Sequence, residues 1–207
     1  MTISNERVIA YIDGFNLYFG MKEGLGNQCL WLDVQKLATS LLKPNQVLIE
    51  TKYFTSRISN NPPKQARQNT YLEALETLSD FNIYYGKYNS QIRTCQKCGD
   101  AHSHSSEKMT DVNIACQLLT DAFQDRYDVA FLITGDSDLV PPINLIHTLF
   151  PNKRVFVGFP PKRHNLSVSS IAKGSMIIGR KKLLDAQFIN DVTKRDGFVL
   201  NRPETWI

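Results

Sequence analysis

The sequence predicts an α/β fold, in which helices cover both faces of a largely parallel β-sheet. Short apolar runs rich in strand-forming residues alternate along the chain with segments whose apolar residues recur every three or four positions. The 207 residues are enough for one domain with a buried core, and no internal repeat or linker divides them. Apolar residues make up 42% of the chain and charged residues 21%, which excludes a disordered protein.

Five segments have the composition of buried strands. They lie at residues 8–12, 47–54, 83–88, 128–134 and 154–159. The first, VIAYI, is a continuous apolar run that stops at Asp13-Gly14, a pair typical of turns. A shorter apolar run follows at 176–178. Helical patterns separate these runs along most of the chain, and this alternation predicts parallel pairing of the strands.

Helices are predicted at residues 32–42, 64–78 and 111–123, and from about 141 to 150. In the helix at 111–123, Val112, Ala115, Leu118 and Ala122 form one apolar stripe. Weaker helical patterns occupy 166–172 and 182–192. Residues 94–106 are polar, and we interpret them as a loop between the third strand and the central helix.

The chain carries a formal net charge of +4 at pH 7, which permits an anionic partner such as nucleic acid without requiring one. No apolar run approaches the ~20 residues that a membrane-spanning helix needs. The opening residues, MTISNERVIAYIDG, lack the apolar stretch and cleavage site of a secretory signal. Four cysteines do not make a disulfide scaffold, so we expect a cytoplasmic protein that does not enter a membrane.

Acidic residues follow two of the predicted strands and begin the central helix. Asp13 comes directly after VIAYI, with Asn16 three residues on, and Asp136 and Asp138 come directly after the fourth strand. Asp111 stands in the first turn of the helix at 111–123. Ligands gather at the carboxyl ends of parallel strands, so these carboxylates can meet at one edge of the sheet. Their mutual repulsion is relieved by a divalent cation, and hard oxygen ligands favour Mg²⁺ or Mn²⁺ over zinc.

Each acidic residue also has an ordinary structural interpretation. An Asp-Gly pair after a strand is a common turn, and an aspartate at a helix start is a common cap. The conjunction of Asp13, Asp111 and the Asp136/Asp138 pair is therefore more informative than any one of them.

Three segments that hold these acids resemble the signature segments of the NYN domain family, the LabA-like members of the PIN-like nuclease superfamily. They are IDGFNLYFG at 12–20, KMTDVNIACQLL at 108–119 and LITGDSDLVPPI at 132–143. MIIGRKKLLDAQF at 176–188 is similar to the closing segment of such domains. The resemblance spans residues 7–192. It implies a Rossmann-like three-layer sandwich whose mainly parallel sheet has five or six strands.

The resemblance also implies an acidic cluster that holds Mg²⁺ or Mn²⁺ for the hydrolysis of RNA. The catalytic and metal-binding residues it indicates are Asp13, Asp111, Asp136 and Asp138. The resemblance also indicates Asn16, Lys108, Thr134 and Ser137 as supporting or substrate-contacting residues. Lys162 and Arg163 join them as candidates because they follow the fifth strand. Such cations near the acids would position a polyanion, whereas an isolated basic run is usually a solvated surface.

Other candidate contacts with a substrate lie further from the motifs. Lys64 and Arg67 follow the Pro62-Pro63 break, at the start of a predicted helix. Tyr18 and Phe19 follow the first acidic motif, and they either stack on nucleic-acid bases or belong to the core.

The polar segment before the central helix carries Cys95, Cys98, His102 and His104. A Cys-x2-Cys pair favours Zn²⁺, and a structural zinc would order a segment that has little apolar surface to bury. His-x-His is not the usual zinc-finger spacing, so solvated thiols and a redox pair remain alternatives. We interpret residues 91–107 as an insertion in a single domain that covers residues 1–207.

The sequence thus predicts a metal-dependent ribonuclease that acts on RNA, with single-stranded RNA the expected form. An RNA-binding or regulatory NYN module with weak or no catalysis is the alternative, and homodimerisation stays open. A phosphatase of the haloacid dehalogenase type would need Asp-x-Asp after the first strand, but Phe15 occupies the second position.

Overall fold

The computed structural model describes residues 5–94 and 101–206, with side chains described for 5–87 and 108–206. Its central feature is a six-stranded sheet with the strand order β3-β2-β1-β6-β7-β8. All five neighbouring pairs in this sheet are parallel. The strands of this sheet are β1 (Glu6–Asp13), β2 (Gln46–Thr55), β3 (Phe81–Tyr85), β6 (Val129–Ile133), β7 (Arg154–Phe159) and β8 (Gly174–Ile177).

Two smaller antiparallel pairs accompany the sheet. They are formed by β4 (Lys87–Thr94) with β5 (Ala101–Lys108), and by β9 (Asp191–Thr193) with β10 (Val199–Asn201). The α-helices are α1 (Gly14–Leu25), α2 (Val34–Leu41), α3 (Pro62–Leu75), α4 (Thr110–Phe123), α5 (Val140–Leu149), α6 (Leu166–Ile171) and α7 (Arg180–Asp185). Short 3-10 helices occupy Ser137–Leu139 and Glu204–Trp206. No helix in the described part of the chain is both long and apolar enough to cross a membrane.

The sheet separates two apolar cores, because successive side chains of a strand point to opposite faces. In β1, Val8 and Ile12 belong to the core beneath α1, α2, α3 and α7. Ile9 and Tyr11 belong to the core beneath α4, α5 and α6. Strands buried on both faces read as continuous apolar runs, which explains why they were the clearest signals in the sequence. The predicted three-layer α/β sandwich with a parallel sheet is confirmed.

The third predicted strand has the wrong boundary. It was expected to continue to residue 88, but β3 ends at Tyr85 and the chain enters β4 at Lys87. Gly86 stands between them, and its N–H donates a 2.8 Å hydrogen bond to the carbonyl of Thr55. A side chain at this position would collide with the carbonyl oxygen of Lys108, so the glycine allows β2, β3 and β5 to meet.

The loop interpretation of residues 94–106 is wrong for its described part. Residues 87–94 pair with residues 101–108 in an antiparallel ladder that joins Lys87 to Lys108. Main-chain hydrogen bonds order these segments, and such bonds do not require an apolar sequence. The periodicity of side chains therefore gave no signal for this hairpin.

Two helix predictions also need correction. The sequence offered Asp13-Gly14 as a turn, whereas the chain continues directly from β1 into α1. Helix α1 buries Gly14, Leu17, Gly20 and Met21, and two glycines leave its apolar stripe too weak to recognise. The late helix predicted at 182–192 is the shorter α7, which ends at Asp185, and β9 begins at Asp191.

The order of the strands creates a crevice next to β1. From β1 the chain moves to β2 and β3 on one side, and it returns later to add β6, β7 and β8 on the other. Such a reversal is where open α/β sheets bind ligands, outside the carboxyl ends of the strands. Ile12 of β1 pairs with Ile133 of β6, so Asp13 and Thr134 leave the sheet side by side.

Candidate functional site

Asp13 is the last residue of β1 and is almost completely buried, with 4% of its surface exposed. Its Oδ1 atom accepts a 3.0 Å hydrogen bond from the backbone N–H of Asn16, which caps α1. Its Oδ2 atom accepts a 2.9 Å bond from the hydroxyl of Thr134. Asp13 therefore caps a helix and also links the ends of two neighbouring strands.

Thr134 and Asn16 extend this link into the loop after β6. The Thr134 hydroxyl oxygen accepts a 3.1 Å hydrogen bond from the N–H of Asp136. The Asn16 side-chain oxygen accepts a 2.9 Å bond from the N–H of Gly135. Asp136 in turn accepts a 2.9 Å bond from the N–H of Asp138 and begins the 3-10 helix. The two sequence motifs thus form one hydrogen-bonded network.

Gly135 is pressed against the chain that follows β7. A Cβ atom at this position would lie 1.9 Å from the carbonyl oxygen of Arg163, a distance that no side chain tolerates. The Asn165 side chain donates a 3.1 Å hydrogen bond to the Gly135 carbonyl while it caps α6. The acidic loop is therefore held on one side by α1 and on the other by the segment between β7 and α6.

Asp111 reaches the same edge of the sheet from the first turn of α4. Burial raises the pKa of its carboxyl group, and the negative charges of Asp136 and Asp138 raise it further. The backbone turns sharply just before the helix, where Met109 has a positive φ of 78°. Burial and the two neighbouring carboxylates thus both disfavour the charged form of Asp111.

These residues surround an open cavity of about 310 Å³, which we call the acidic cleft. It is lined by Asp13, Phe15, Asn16, Phe19, Lys108, Thr110, Asp111, Asp136 and Arg163. Three of the four predicted acids therefore meet here, together with two of the predicted cations. Phe15 and Thr110 were not predicted, whereas Phe19 had been considered as a residue that either stacks on bases or belongs to the core.

Other predicted residues lie around this cleft rather than on its walls. Asp138 and Ser137 are exposed in the 3-10 helix, and Asp138 acts on the cleft through its charge. Lys162 is exposed, has a positive φ of 61° and is not one of the lining residues. Thr134 is fully buried beneath the cleft, where it supports Asp13 and Asp136.

Arg163 reaches the cleft with its guanidinium already paired. Arg163 forms an ion pair with Glu23 of α1, which fixes the direction of the guanidinium and partly offsets its positive charge. Asn165, just beyond it, is a supporting residue that sequence reasoning missed. Its signal was an asparagine directly before a short helical pattern, which is the usual arrangement of a cap.

The donor atoms of the cleft are carboxylate and amide oxygens, the ligand chemistry that suits Mg²⁺ or Mn²⁺. Among the side chains described, no three acidic, histidine or cysteine residues are gathered closely enough to hold a metal ion. Each oxygen of Asp13 accepts one hydrogen bond within the protein, and one oxygen of Asp136 does the same. A carboxylate oxygen has a second lone pair, so these bonds leave both residues able to receive a cation.

The predicted zinc ligands fall outside the part of the chain that can be described. Cys95 and Cys98 belong to residues 95–100, and the side chains of His102 and His104 lie within 88–107. The backbone of His102 and His104 belongs to β5. The zinc hypothesis therefore stays a prediction.

Comparison with known proteins agrees with the fold and identifies the family of the chain. A family model described as the NYN domain matches residues 7–173, which include β1, α4 and the loop after β6. The chain therefore belongs to the NYN domain family, which is part of the PIN-like superfamily. Proteins of this family are generally nuclease-like and associated with RNA.

Two individual proteins are similar to this chain. The 6-hydroxy-3-succinoylpyridine 3-monooxygenase HspA from Pseudomonas putida is 26% identical over 200 residues, which cover 79% of this chain and 62% of HspA. The chain thus spans less than two thirds of the length of that relative. The crystal structure of a protein of unknown function from Vibrio parahaemolyticus has a TM-score of 0.59 and 19% identity, covering 87% of this chain and 97% of that one. This second likeness concerns the fold alone.

Proposed function

We propose that the chain is a metal-dependent ribonuclease that hydrolyses phosphodiester bonds in single-stranded RNA. The observation that carries the proposal is the convergence of Asp13, Asp111 and Asp136 on one cleft at the reversal point of the sheet. Burial, and then repulsion from Asp136 and Asp138, raises the pKa of Asp111, so a charged carboxylate at this position costs folding free energy. Membership of the NYN domain family supports RNA as the substrate.

We assign the cation-binding role to Asp13, Asp111 and Asp136, which line the cleft, with Asp138 adding negative charge from the rim. A bound Mg²⁺ or Mn²⁺ would supply charge for the phosphate oxygens and lower the pKa of a water molecule. The hydrogen bonds of Asp13 to Asn16 and Thr134 fix its position and leave lone pairs for the cation. This assignment gives each acid a role that matches its contacts.

Lys108 and Arg163 are the cations that line the acidic cleft. We propose that they hold the phosphates on either side of the bond that is cut. Arg163 is oriented by Glu23, so its side chain needs little reordering when RNA binds. Ser137 is exposed beside Asp136, and we assign its hydroxyl to the same phosphates. Lys162 is also exposed, and we assign it to the RNA backbone further from the bond that is cut.

The test is cleavage of an end-labelled, unstructured RNA of about twenty nucleotides. We expect cleavage with Mn²⁺ or Mg²⁺, none with EDTA, and a loss of 10²-fold or more in the variant Asp136→Asn. The matched control is Asp185→Asn, an exposed aspartate of α7 that is not one of the cleft residues. Cleavage that survives both EDTA and Asp136→Asn would contradict the proposal.

An RNA-binding module with weak or no catalysis is the second candidate. The observation that favours it is that the described acids do not already form a metal-holding group. Filter binding of the same RNA, measured beside the cleavage assay, separates the two. Tight binding with no Mn²⁺-dependent cleavage would support the binding module and exclude the nuclease.

A substituted hydroxypyridine is a further ligand class that merits a test. HspA, whose name specifies such a compound, is 26% identical to this chain. Isothermal titration with 6-hydroxypyridine-3-carboxylate measures whether this protein binds the class at all. Micromolar binding would support it, and the absence of heat at millimolar ligand would exclude it.

We also propose that residues 1–207 form a single domain in which residues 91–107 are an insertion. The insertion would hold one structural zinc through Cys95, Cys98, His102 and His104. Elemental analysis of the purified protein should then show about one zinc per chain, lost from the double variant Cys95→Ser/Cys98→Ser. A folded wild-type protein without zinc would refute this assignment.

A further inference from the structure

A second cavity of about 390 Å³ lies beside the acidic cleft. We call it the aromatic cavity, since its walls include Phe15, Tyr18, Phe19, Tyr53, Lys64 and Arg67. It extends between α1, the end of β2 and the start of α3, so it opens near the same edge of the sheet. Its volume falls within the range of about 300–1,000 Å³ that small-molecule sites occupy.

The two cavities share a wall. Phe15 and Phe19 of α1 line both of them, and their ring centroids are 6.1 Å apart. Phe19 is 44% exposed, so a large part of its ring is open to a ligand. A ligand that lies across this wall therefore occupies both cavities at once.

The two cavities differ in charge. Lys22, Lys64 and Arg67 line the aromatic cavity, and no carboxylate is found among its described lining residues. None of these three cations forms an ion pair with a described carboxylate. Lys22 lies 5.8 Å from the centre of the Tyr18 ring. The cavity thus combines flat apolar walls with unpaired positive charge, a combination that suits a planar ring attached to an anionic group.

We propose that the aromatic cavity binds one base of the RNA strand whose backbone crosses the acidic cleft. This inference rests on the proposed function, because it takes the acidic cleft as the place where the phosphate is cut. The base stacks against Phe19 and Tyr18, while Lys64 and Arg67 neutralise the phosphate next to it. Stacking accepts every base, so the cavity fixes the position of the strand rather than its sequence.

The test uses binding and not cleavage, so that it can be separated from the test of catalysis. A fluorescent penta-uridine and five derivatives, each with one abasic position, are titrated with the protein in EDTA, and anisotropy gives each Kd. We expect one abasic position to weaken binding about tenfold, because one stacked base is lost, and the other four to change it little. Equal losses at all five positions would overturn the proposal.

The variant Phe19→Ala links that position to the cavity. It should weaken binding of intact penta-uridine about tenfold, and the sensitive abasic derivative should then lose no more than about twofold further. Phe19→Trp keeps a stacking surface and should restore the affinity of the wild type. If Phe19→Ala and the abasic position each weaken binding by their full factor when combined, the two changes are independent. That result would show that the base binds elsewhere.

Charge provides a third comparison. Arg67→Gln should weaken binding several-fold and reduce the dependence of the Kd on salt, whereas Lys181→Gln, on the exposed surface of α7, should do neither. Asp136→Asn should retain the pattern of the abasic series while it loses cleavage. If 6-hydroxypyridine-3-carboxylate displaces no RNA, the assignment of the aromatic cavity to an RNA base stands. If the protein binds this acid saturably but binds no RNA, that assignment is overturned.

Discussion

At the scale of single residues, the acidic cleft depends on a side chain that does not line it. The hydroxyl of Thr134 donates to Asp13 and accepts from the N–H of Asp136, so one atom joins both halves of the site. The residue is fully buried, and water cannot replace these bonds without opening the loop. Asp136 can therefore be placed correctly only while Thr134 keeps its two partners.

The variant Thr134→Val tests this role, since valine has the same shape and no hydroxyl. Asp13 would lose one donor and the N–H of Asp136 its acceptor, so we expect a loss of about 1–3 kcal/mol in the free energy of unfolding, together with weaker cleavage. Urea denaturation measures the loss. Thr134→Ser retains the hydroxyl and should stay within about 1 kcal/mol of the wild type, and an equal loss in both variants would contradict the argument.

A pH dependence follows from an ion pair on the opposite edge of the sheet. Hydrogen bonds from Arg7 hold the pKa of Asp128 below its ordinary value of 3.8. The unfolded chain therefore takes up a proton at a higher pH than the folded one, and the stabilisation is complete above about pH 4. It is lost progressively as the pH falls below that value.

The variant Asp128→Asn should reduce the slope of stability against pH below about pH 4, measured by urea unfolding at a series of pH values. Above pH 5 the two proteins should differ by a constant amount. An unchanged acid slope would show that Asp128 contributes nothing to it. The exposed Asp185, changed to asparagine, serves as the control.

At the scale of elements, the loop after β6 is positioned by contact and not by its own preference. Gly135 fits because the carbonyl oxygen of Arg163 occupies the place of a side chain. The sequence motif TGDSD identified the loop, but the contact that demands its glycine joins segments far apart in the chain. No local pattern could have revealed it.

We expect Gly135→Ala to displace the acidic loop or the segment at Arg163. The unfolding temperature should fall by several degrees and Mn²⁺-dependent cleavage should be lost. Gly179→Ala is a suitable control because nothing lies within 4 Å of its Cβ position and its φ is negative. Differential scanning calorimetry measures the unfolding temperature of both variants. Equal unfolding temperatures would show that the loop accommodates the extra methyl group without loss of stability.

Helix α4, which carries Asp111, is anchored at its other end by buried charges. Asp121 accepts 2.6 Å hydrogen bonds from Lys52 of β2 and Tyr11 of β1, and a 3.0 Å bond from Arg126. Lys52 and Asp121 are almost completely buried. This cluster sets the position of α4 on the sheet, and hence the height at which Asp111 reaches the acidic cleft.

Asp121→Asn should therefore destabilise the protein by on the order of 3 kcal/mol, because buried Lys52 loses its shortest ion pair and keeps only the longer one to Glu50, at 3.8 Å. Chemical denaturation measures this loss. The double variant Lys52→Met/Asp121→Leu removes both charges and should cost less than Asp121→Asn alone. A loss below about 1 kcal/mol in the single variant would contradict the role given to the cluster.

The elements that the sequence revealed are those buried by apolar side chains. Strands such as β6 are continuous apolar runs in the sequence. The helices that pack against the sheet carry apolar residues every three or four positions. Helix α1 was missed because Gly14 and Gly20 stand where its stripe should be, and the β4–β5 hairpin was missed because backbone pairing leaves no apolar period. In the site, the acids were found by motif, whereas Asn165 was missed because its partner Gly135 comes from a distant segment.

At the scale of the whole molecule, negative charge is concentrated on one side of α1 and positive charge on the other. The acidic cleft holds Asp111 and Asp136, and the aromatic cavity holds Lys64 and Arg67. A polyanion is attracted to the cations of the aromatic cavity and to Lys108 and Arg163 of the cleft, whereas the carboxylates of the cleft repel it until a metal cation binds them. Binding of metal and binding of RNA should therefore strengthen each other.

The corresponding prediction concerns the unfolding temperature. Mn²⁺ at a hundred times its Kd should stabilise the wild type by about 2.7 kcal/mol, since it binds the folded chain alone. Asp111→Asn should abolish this gain, yet be at least as stable as the wild type without metal, because a repelled carboxylate has been removed. Thermal scans with and without Mn²⁺ measure both effects. An undiminished gain in Asp111→Asn would remove that residue from the proposed metal site.

The pairing of β1 with β6 has a consequence during protein synthesis. Asp13 and Thr134 lie 121 positions apart in the sequence, although they touch in the folded chain. A nascent chain exposes its first acidic motif long before the ribosome has made the second. The acidic cleft therefore cannot assemble until Asp136 has left the ribosome and β6 has paired with β1.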